Sequence, residues 1–229
     1  MTAIADELAR VRDRIAAAID RRGPGPEVRL IGVSKKQPLA KLLAAHEAGL
    51  REFGENYAQE LRDKQGEWPL SHESPRWHFI GALQTNKLKY VVGKALIHTV
   101  DRLELLQAID RRAASLSAIQ EFLVEVDLAG EDQKAGVRPD DLPGLLDACA
   151  ELEAVRCVGL MIIPPVEGDP EASRGWFARL RALAEQLRSQ PRAHVELREL
   201  SMGMSADFEQ AIEEGATLVR VGTAIFGAR

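Results

Sequence analysis

The sequence predicts an α/β fold: a single (β/α)8 TIM-type barrel with an extra N-terminal helix. Three observations carry that expectation. Short apolar runs alternate with longer helical patterns along the 229 residues, as parallel strands joined by right-handed crossovers require. Eight such runs fit into roughly 200 residues, the size of a small closed barrel. No Gly-rich turn follows the first strand, whereas an open doubly wound sheet usually carries one there.

The elements follow in order. Ile4, Leu8, Val11, Ile15 and Ile19 recur at helical spacing and predict an amphipathic opening helix, ended by the loop Gly23-Pro-Gly-Pro26. Strands are expected at 28–34, 52–54, 77–81, 95–99, 121–126, 156–160, 194–200 and 216–221. Helical stretches fall between them, at 38–49, 102–115, 139–149, 171–188 and 206–215. The second and fourth strands rest on the alternation more than on propensity. No internal repeat, low-complexity tract or long linker breaks the pattern, so residues 1–229 read as one domain.

Composition narrows the function. With 45% hydrophobic and 28% charged residues, the chain has the make-up of a soluble globular protein. The net charge is −5 and the basic residues are scattered, which argues against nucleic acid as a partner. No apolar run approaches the roughly 20 residues that span a bilayer. Acids interrupt the apolar positions near Met1, so no secretory signal is expected. Cys149 and Cys157 lack CxxC spacing and read as two buried thiols of a reducing cytosol. The histidines His46, His72, His98 and His194 show no metal-ligand spacing, and His78 reads as a hydrogen-bonded core residue.

Functional groups of such a barrel gather at the C-terminal ends of its strands. Lys35 follows the first strand, Glu55-Asn56-Tyr57 the second, and Gly81 with Gln84 and Asn86 the third. Asp101, Asp127 and Met161 follow the next three; Ser201 to Ser205 follow the seventh, and Arg220, Gly222 and Thr223 end the eighth. A desolvated lysine loses its proton readily and becomes the neutral amine that imine formation needs. A lysine snorkelling to water is the bland alternative, and Lys36 is a competitor. Lys35 shares parity with Ile31 and Val33, bulky residues suited to a barrel interior. Downstream, Gly203 would let backbone approach an anion, and Ser205 is placed to cap the following helix. Arg220 lies inside the apolar run Leu218-Val-Arg-Val221, where its charge needs either an acid or a ligand.

Taken together, Val33-Ser-Lys-Lys-Gln-Pro38, Phe53-Gly-Glu-Asn-Tyr57, Trp77-His-Phe-Ile-Gly81 and Leu83-Gln-Thr-Asn-Lys87 form the first half of a pattern. Gly159-Leu-Met161, Ser201-Met-Gly-Met-Ser205 and Arg220-Val-Gly-Thr-Ala-Ile-Phe-Gly227 form the second. The set runs nearly end to end and closely resembles the pyridoxal-phosphate homeostasis family, whose fold is like the N-terminal domain of alanine racemase. The resemblance implies pyridoxal 5'-phosphate (PLP) bound as a Schiff base on Lys35. It implies phosphate contacts from Ser205, Gly222 and Thr223, with Ser201 nearby, and Arg220 facing the pyridine nitrogen. Asn56 completes the expected cofactor-binding set. Lys36 stands where threonine is common in the family, and Asp127 where asparagine is common.

An arginine donates to the ring nitrogen without giving up its proton, so the ring becomes a poor electron sink. Racemases of this fold also bring a tyrosine from a second domain, whereas this sequence ends at Arg229 and holds only Tyr57 and Tyr90. The expected function is therefore intracellular PLP homeostasis: a cytoplasmic monomer, not an enzyme, that buffers PLP and passes it to apo-enzymes. A single-domain racemase or decarboxylase is the alternative, and a barrel enzyme using Lys35 toward a sugar phosphate is the third reading.

Overall fold

The computed structural model describes residues 3–130, 135–165 and 168–227. Helix α1 (Ala3–Arg22) precedes the barrel and buries Leu8, Val11, Ile15 and Ala18, the apolar stripe anticipated from its spacing. Arg14 and Arg21 tie it to Glu209 and Glu213 of helix α7 (Phe208–Glu213), with N–O distances of 2.6 and 2.5 Å.

Eight parallel strands close into a barrel in chain order. They are β1 (Arg29–Val33), β2 (Glu52–Glu55), β3 (Arg76–Phe79), β4 (Leu96–Val100), β5 (Gln120–Glu125), β6 (Val155–Met161), β7 (Val195–Ser201) and β8 (Leu218–Val221). The outer layer holds α2 (Leu39–Glu47), α3 (Ala58–Glu67), α4 (Leu103–Ala114), α5 (Leu142–Ala150), α6 (Arg174–Arg188) and α7, and a short α8 (Thr223–Phe226) follows β8. The (β/α)8 expectation holds with one departure. Between β3 and β4 the chain forms a 3-10 segment, Thr85–Tyr90, of which only Leu88 is buried. It lacks the apolar stripe that would anchor an α-helix.

Boundaries shift for local reasons. Strand β3 ends at Phe79 rather than at residue 81, where Gly81 packs directly on the Asn56 carbonyl. Helix α5 starts only at Leu142, with Pro143 in its first turn, where a missing N–H costs nothing. The stretch 171–188 opens as a 3-10 turn, Pro170–Ser173, before α6 begins. Helix α3 is absent from the sequence-based expectations because its only buried positions are Ala58, Leu61 and Lys64, a weak apolar signal.

Two cores result. The larger lies between strands and helices, and a smaller one of Ile31, Leu123, Val158, Met161 and Leu218 fills part of the barrel interior. Gly32 faces outward against Leu50 and Phe226, so the Ile31 face of β1 is the inner one. Strand β8 pairs back to β1 with Arg220 beside Ile31, which aims the arginine inward too. Both cysteines are free and buried. Among the described residues no helix is long and apolar enough to cross a membrane.

The register between β6 and β7 shifts at Cys157/Gly159, and a Cβ at Gly159 would overlap the Glu199 carbonyl on β7. Because backbone cannot yield as a flexible side chain can, Gly159→Ala is expected to destabilise the fold by about 1–3 kcal/mol. Urea unfolding of the two proteins measures this; equal midpoints and slopes would show that the strands part without cost.

Candidate functional site

The turn after β1 presents Lys35, and it is clamped from below. Ser34, fully buried, donates from Oγ to Glu55 Oε1 at 2.6 Å. Lys64 of α3 donates to the Ser34 carbonyl, to Glu55 and to Glu60, each at 2.7 Å. Glu60 in turn accepts the Lys36 amide at 2.6 Å. Burial raises the Glu55 carboxyl above its ordinary range, while Lys64 and Ser34 pull it back. This network fixes both sides of the lysine pair. Lys35 is half-buried, whereas Lys36 is exposed, adopts a φ of 59° and lays Nζ 5.7 Å from the Tyr57 ring centre. Of the two lysines, Lys35 is the less exposed.

Gly222 lies on the other side of that turn. A Cβ there would meet the Val33 Cβ and carbonyl at 3.3 Å, so the end of β8 abuts the end of β1. The Gly222 amide donates to Ser205 Oγ at 3.2 Å, which binds the loop after β7 to the loop after β8. Ser205 does not cap α7. Asp207 holds the N-cap position, and its carboxylate accepts the Met204 amide of the preceding loop at 2.7 Å instead of a helix amide. Ser205 is thereby left for the β8 loop. The amides of Thr223 and Ala224, in the first turn of α8, make no hydrogen bond among the described residues.

Arg220 is 4% exposed. It donates to Ser201 Oγ at 2.6 Å and to the Ile162 carbonyl at 2.9 Å, both neutral acceptors. Among the described residues no carboxylate reaches ion-pair distance of it; Glu125 and Asp207 act only from further away. Burial lowers its pKa to about 10, so it remains a cation at neutral pH. Ser201, fully buried, is also bonded to His98 Nδ1 at 2.9 Å. Asn56 is half-buried beyond β2 and its Oδ1 is a buried acceptor with no partner among the described residues.

Lys35, Ser205, Gly222 and Thr223 thus occupy one seam of the C-terminal rim, with Arg220 and Ser201 beneath. Other rim candidates do not join them. Met161 belongs to the interior apolar cluster, Gln84 and Asn86 are exposed on the 3-10 segment, and Asp127 caps its own loop through the Ala129 and Gly130 amides. His78 is a buried core histidine, bonded through Nδ1 to His98 Nε2 at 2.9 Å.

Residues 7–229 match the family described as alanine racemase, N-terminal domain. A pyridoxal phosphate homeostasis protein of Aquifex aeolicus (strain VF5) is 45% identical over 98% of this chain and 97% of its own. One from Pseudomonas aeruginosa is 44% identical over 100% and 97%. The chain belongs to the pyridoxal phosphate homeostasis protein family. Among solved structures, PipY of Synechococcus elongatus PCC7942, described with PLP bound, superposes with a TM-score of 0.86 at 38% identity, covering 98% of this chain and 100% of that one.

Four residues in or under this site escape a reading of sequence alone. Lys64 and Glu60 sit on a helix with little apolar signal, and His98 gains meaning only when β4 and β7 face each other across the barrel. Glu125, at the end of β5, is the fourth. Burial and the nearby charge of Asp101 push its carboxyl up to about 7, with Arg220 pulling the other way. A carboxyl with a raised folded-state pKa binds protons more tightly folded than unfolded. Its contribution to stability is therefore present below the unfolded value and is lost as pH rises from about 4.5 to about 7. The loss amounts to about 3 kcal/mol. Chemical denaturation of apo-protein at pH 5 and pH 8 should show Glu125→Gln flattening this decline; parallel profiles for the two proteins would exclude it.

Proposed function

We propose that this chain binds PLP, holds it as a Schiff base on Lys35, and serves in PLP homeostasis by buffering the cofactor and handing it to apo-enzymes. The observation that carries this reading is Arg220. A buried cation without an acid is expensive unless a ligand completes its surroundings, and among the described residues this one is bonded only to Ser201 Oγ and the Ile162 carbonyl. The donor set around it suits a phosphorylated pyridine. Asn56 Oδ1 lacks a partner, and the Thr223 and Ala224 amides are open for a phosphate. Ser205 Oγ already accepts from Gly222, so its own proton is available to donate. The name of PipY's bound ligand and those of the relatives point the same way.

PLP supplies an aldehyde that condenses with a primary amine, releasing water, and that a second amine takes over reversibly. The protein's own residues set the terms of that exchange. The Ser34–Glu55–Lys64 clamp holds the Lys35 turn against the barrel end. Arg220 would face the ring nitrogen as a donor and, as a cation that keeps its proton, would leave that nitrogen unprotonated. Carbanion chemistry is then disfavoured, which supports a carrier over a racemase. Tyr90 lies on the outer layer between Arg62 and Lys89, and Tyr57 is 48% exposed under Lys36, so neither is packed against Arg220. The proposal extends to a single barrel domain acting as a monomer in the cytoplasm, where its two free thiols would stay reduced.

Borohydride reduction of PLP-treated protein followed by peptide mass spectrometry should place the adduct on Lys35. Lys35→Ala should lose the imine absorbance. Arg220→Ala should weaken PLP retention by about tenfold or more, the scale of a charge-assisted hydrogen bond, and alter the spectrum. A protein that stays colourless and unmodified would sink the reading. Amino-acid racemisation or decarboxylation abolished by Lys35→Ala would replace it with an enzyme.

A further inference from the structure

A string of polar side chains crosses the barrel interior from the rim to the opposite end. Arg220 donates to Ser201 Oγ at 2.6 Å, Ser201 Oγ lies 2.9 Å from His98 Nδ1, and His98 Nε2 lies 2.9 Å from His78 Nδ1. His78 Nε2 then faces Glu52 Oε2 at 2.9 Å, a contact bent away from a straight hydrogen bond, and neither atom has another hydrogen-bond partner. Glu52 opens β2, at the N-terminal end of the barrel, 3.5 Å from Arg29, which also pairs with Glu199 at 2.9 Å. Both histidines and Ser201 are fully buried.

Donor and acceptor chemistry fixes the direction of this string. Arginine can only donate, so Ser201 accepts from it and has one proton to give. Burial holds both imidazoles below their ordinary pKa, so each is neutral and carries a single N–H. Burial would raise Glu52, but His78, Arg29 and Arg76 together keep it below its ordinary value, so it is an anion. A bare ring nitrogen facing that anion would be repelled; His78 must therefore carry its proton on Nε2. His78 Nδ1 then accepts from His98 Nε2–H, and His98 Nδ1 accepts the Ser201 proton. Every proton points from Arg220 toward Glu52.

We infer that Glu52, His78 and His98 are positioning residues for Arg220: the carboxylate at one end of the barrel sets both histidine tautomers and, through Ser201, the orientation of the guanidinium at the other. The effect on PLP rests on the function proposed above; the tautomers do not. With Ser201 giving its proton away to His98, its lone pair stays open to Arg220 Nη1. The Ile162 carbonyl holds Nη2, and the guanidinium plane is fixed. Reversing the string makes His98 a donor, so Ser201 would spend both lone pairs on Arg220 and His98 and leave its own buried proton without either of them as acceptor.

Nitrogen-15 NMR of the apo-protein reads the tautomers directly. His78 and His98 should both be neutral and protonated on Nε2 at pH 7; a charged ring, or His98 protonated on Nδ1, overturns the inference without any variant. Glu52→Leu should move the His98 proton to Nδ1, weaken PLP binding roughly five- to tenfold, as for one lost hydrogen bond, and shift the bound absorbance. Glu52→Gln keeps an acceptor and should restore the wild-type tautomer and affinity. An unmoved His98 proton in Glu52→Leu, or a moved proton with unchanged PLP affinity and spectrum, overturns the relay alone. Wild-type protein that takes up no PLP overturns the cofactor reading whatever the tautomers.

Discussion

The C-terminal rim depends on one constraint: a guanidinium kept charged inside the barrel with no carboxylate at hand. Desolvation works against Arg220, and Glu125 and Asp207 offset it only at a distance. A direct ion pair would have been the simpler structural solution, and it would also have consumed the donors. Neutral acceptors satisfy part of the guanidinium and leave its charge uncancelled. On the proposed reading, that incompleteness leaves the guanidinium charge for a ligand to complete. Glu125 shows the same balance from the other side, since burial and Asp101 hold it near neutrality beside the cation.

The lysine turn solves a different problem with similar means. A residue just past a strand end is ordinarily mobile, and a loose amine would be a poor anchor. Here the buried Lys64 gathers Ser34, Glu55 and Glu60, and Glu60 reaches the Lys36 amide. The ion pair contributes little net stability once its desolvation is counted. Its value is geometric, because it fixes the backbone on both sides of Lys35 while leaving the lysine's own position between them.

Much of this was legible in the chain. Strand and helix alternation predicted the barrel, since periodicity reports which face is buried whatever the loops do. Parity put Ile31 on the inner face of the first strand, and Gly32 does turn outward against Leu50 and Phe226. What failed was local competition. Ser205 and Asp207 are both cap-type residues, yet the fold gives Ser205 Oγ the Gly222 amide and Asp207 the Met204 amide. The 3-10 crossover and α3 were missed because their buried positions are few, so helical periodicity is faint. The polar string could not be read at all. His78, His98 and Ser201 come from three different strands, and nothing in their sequence spacing says they meet across the interior.

The chain ends of this site lie far apart, and that shapes how a ligand would act on the fold. Lys35 follows the first strand, whereas Ser205, Gly222 and Thr223 follow the last two. Between β7 and β8 the strands pair in register at Ser201 and Leu218, extended by the Met202 amide on the Leu218 carbonyl and the Arg220 amide on the Gly203 carbonyl. Gly222 then meets Val33 across the closing seam. On the proposed reading, a cofactor held at both Lys35 and the β7 and β8 loops spans the seam where the barrel closes on itself. Occupancy would then stabilise the fold in proportion to affinity, because only the closed barrel assembles both halves of the site. A carrier built this way couples retention of its cargo to its own closure. An amine that takes the aldehyde from Lys35 would release one half of that staple, leaving the phosphate held by neutral amides and hydroxyls from which it can depart.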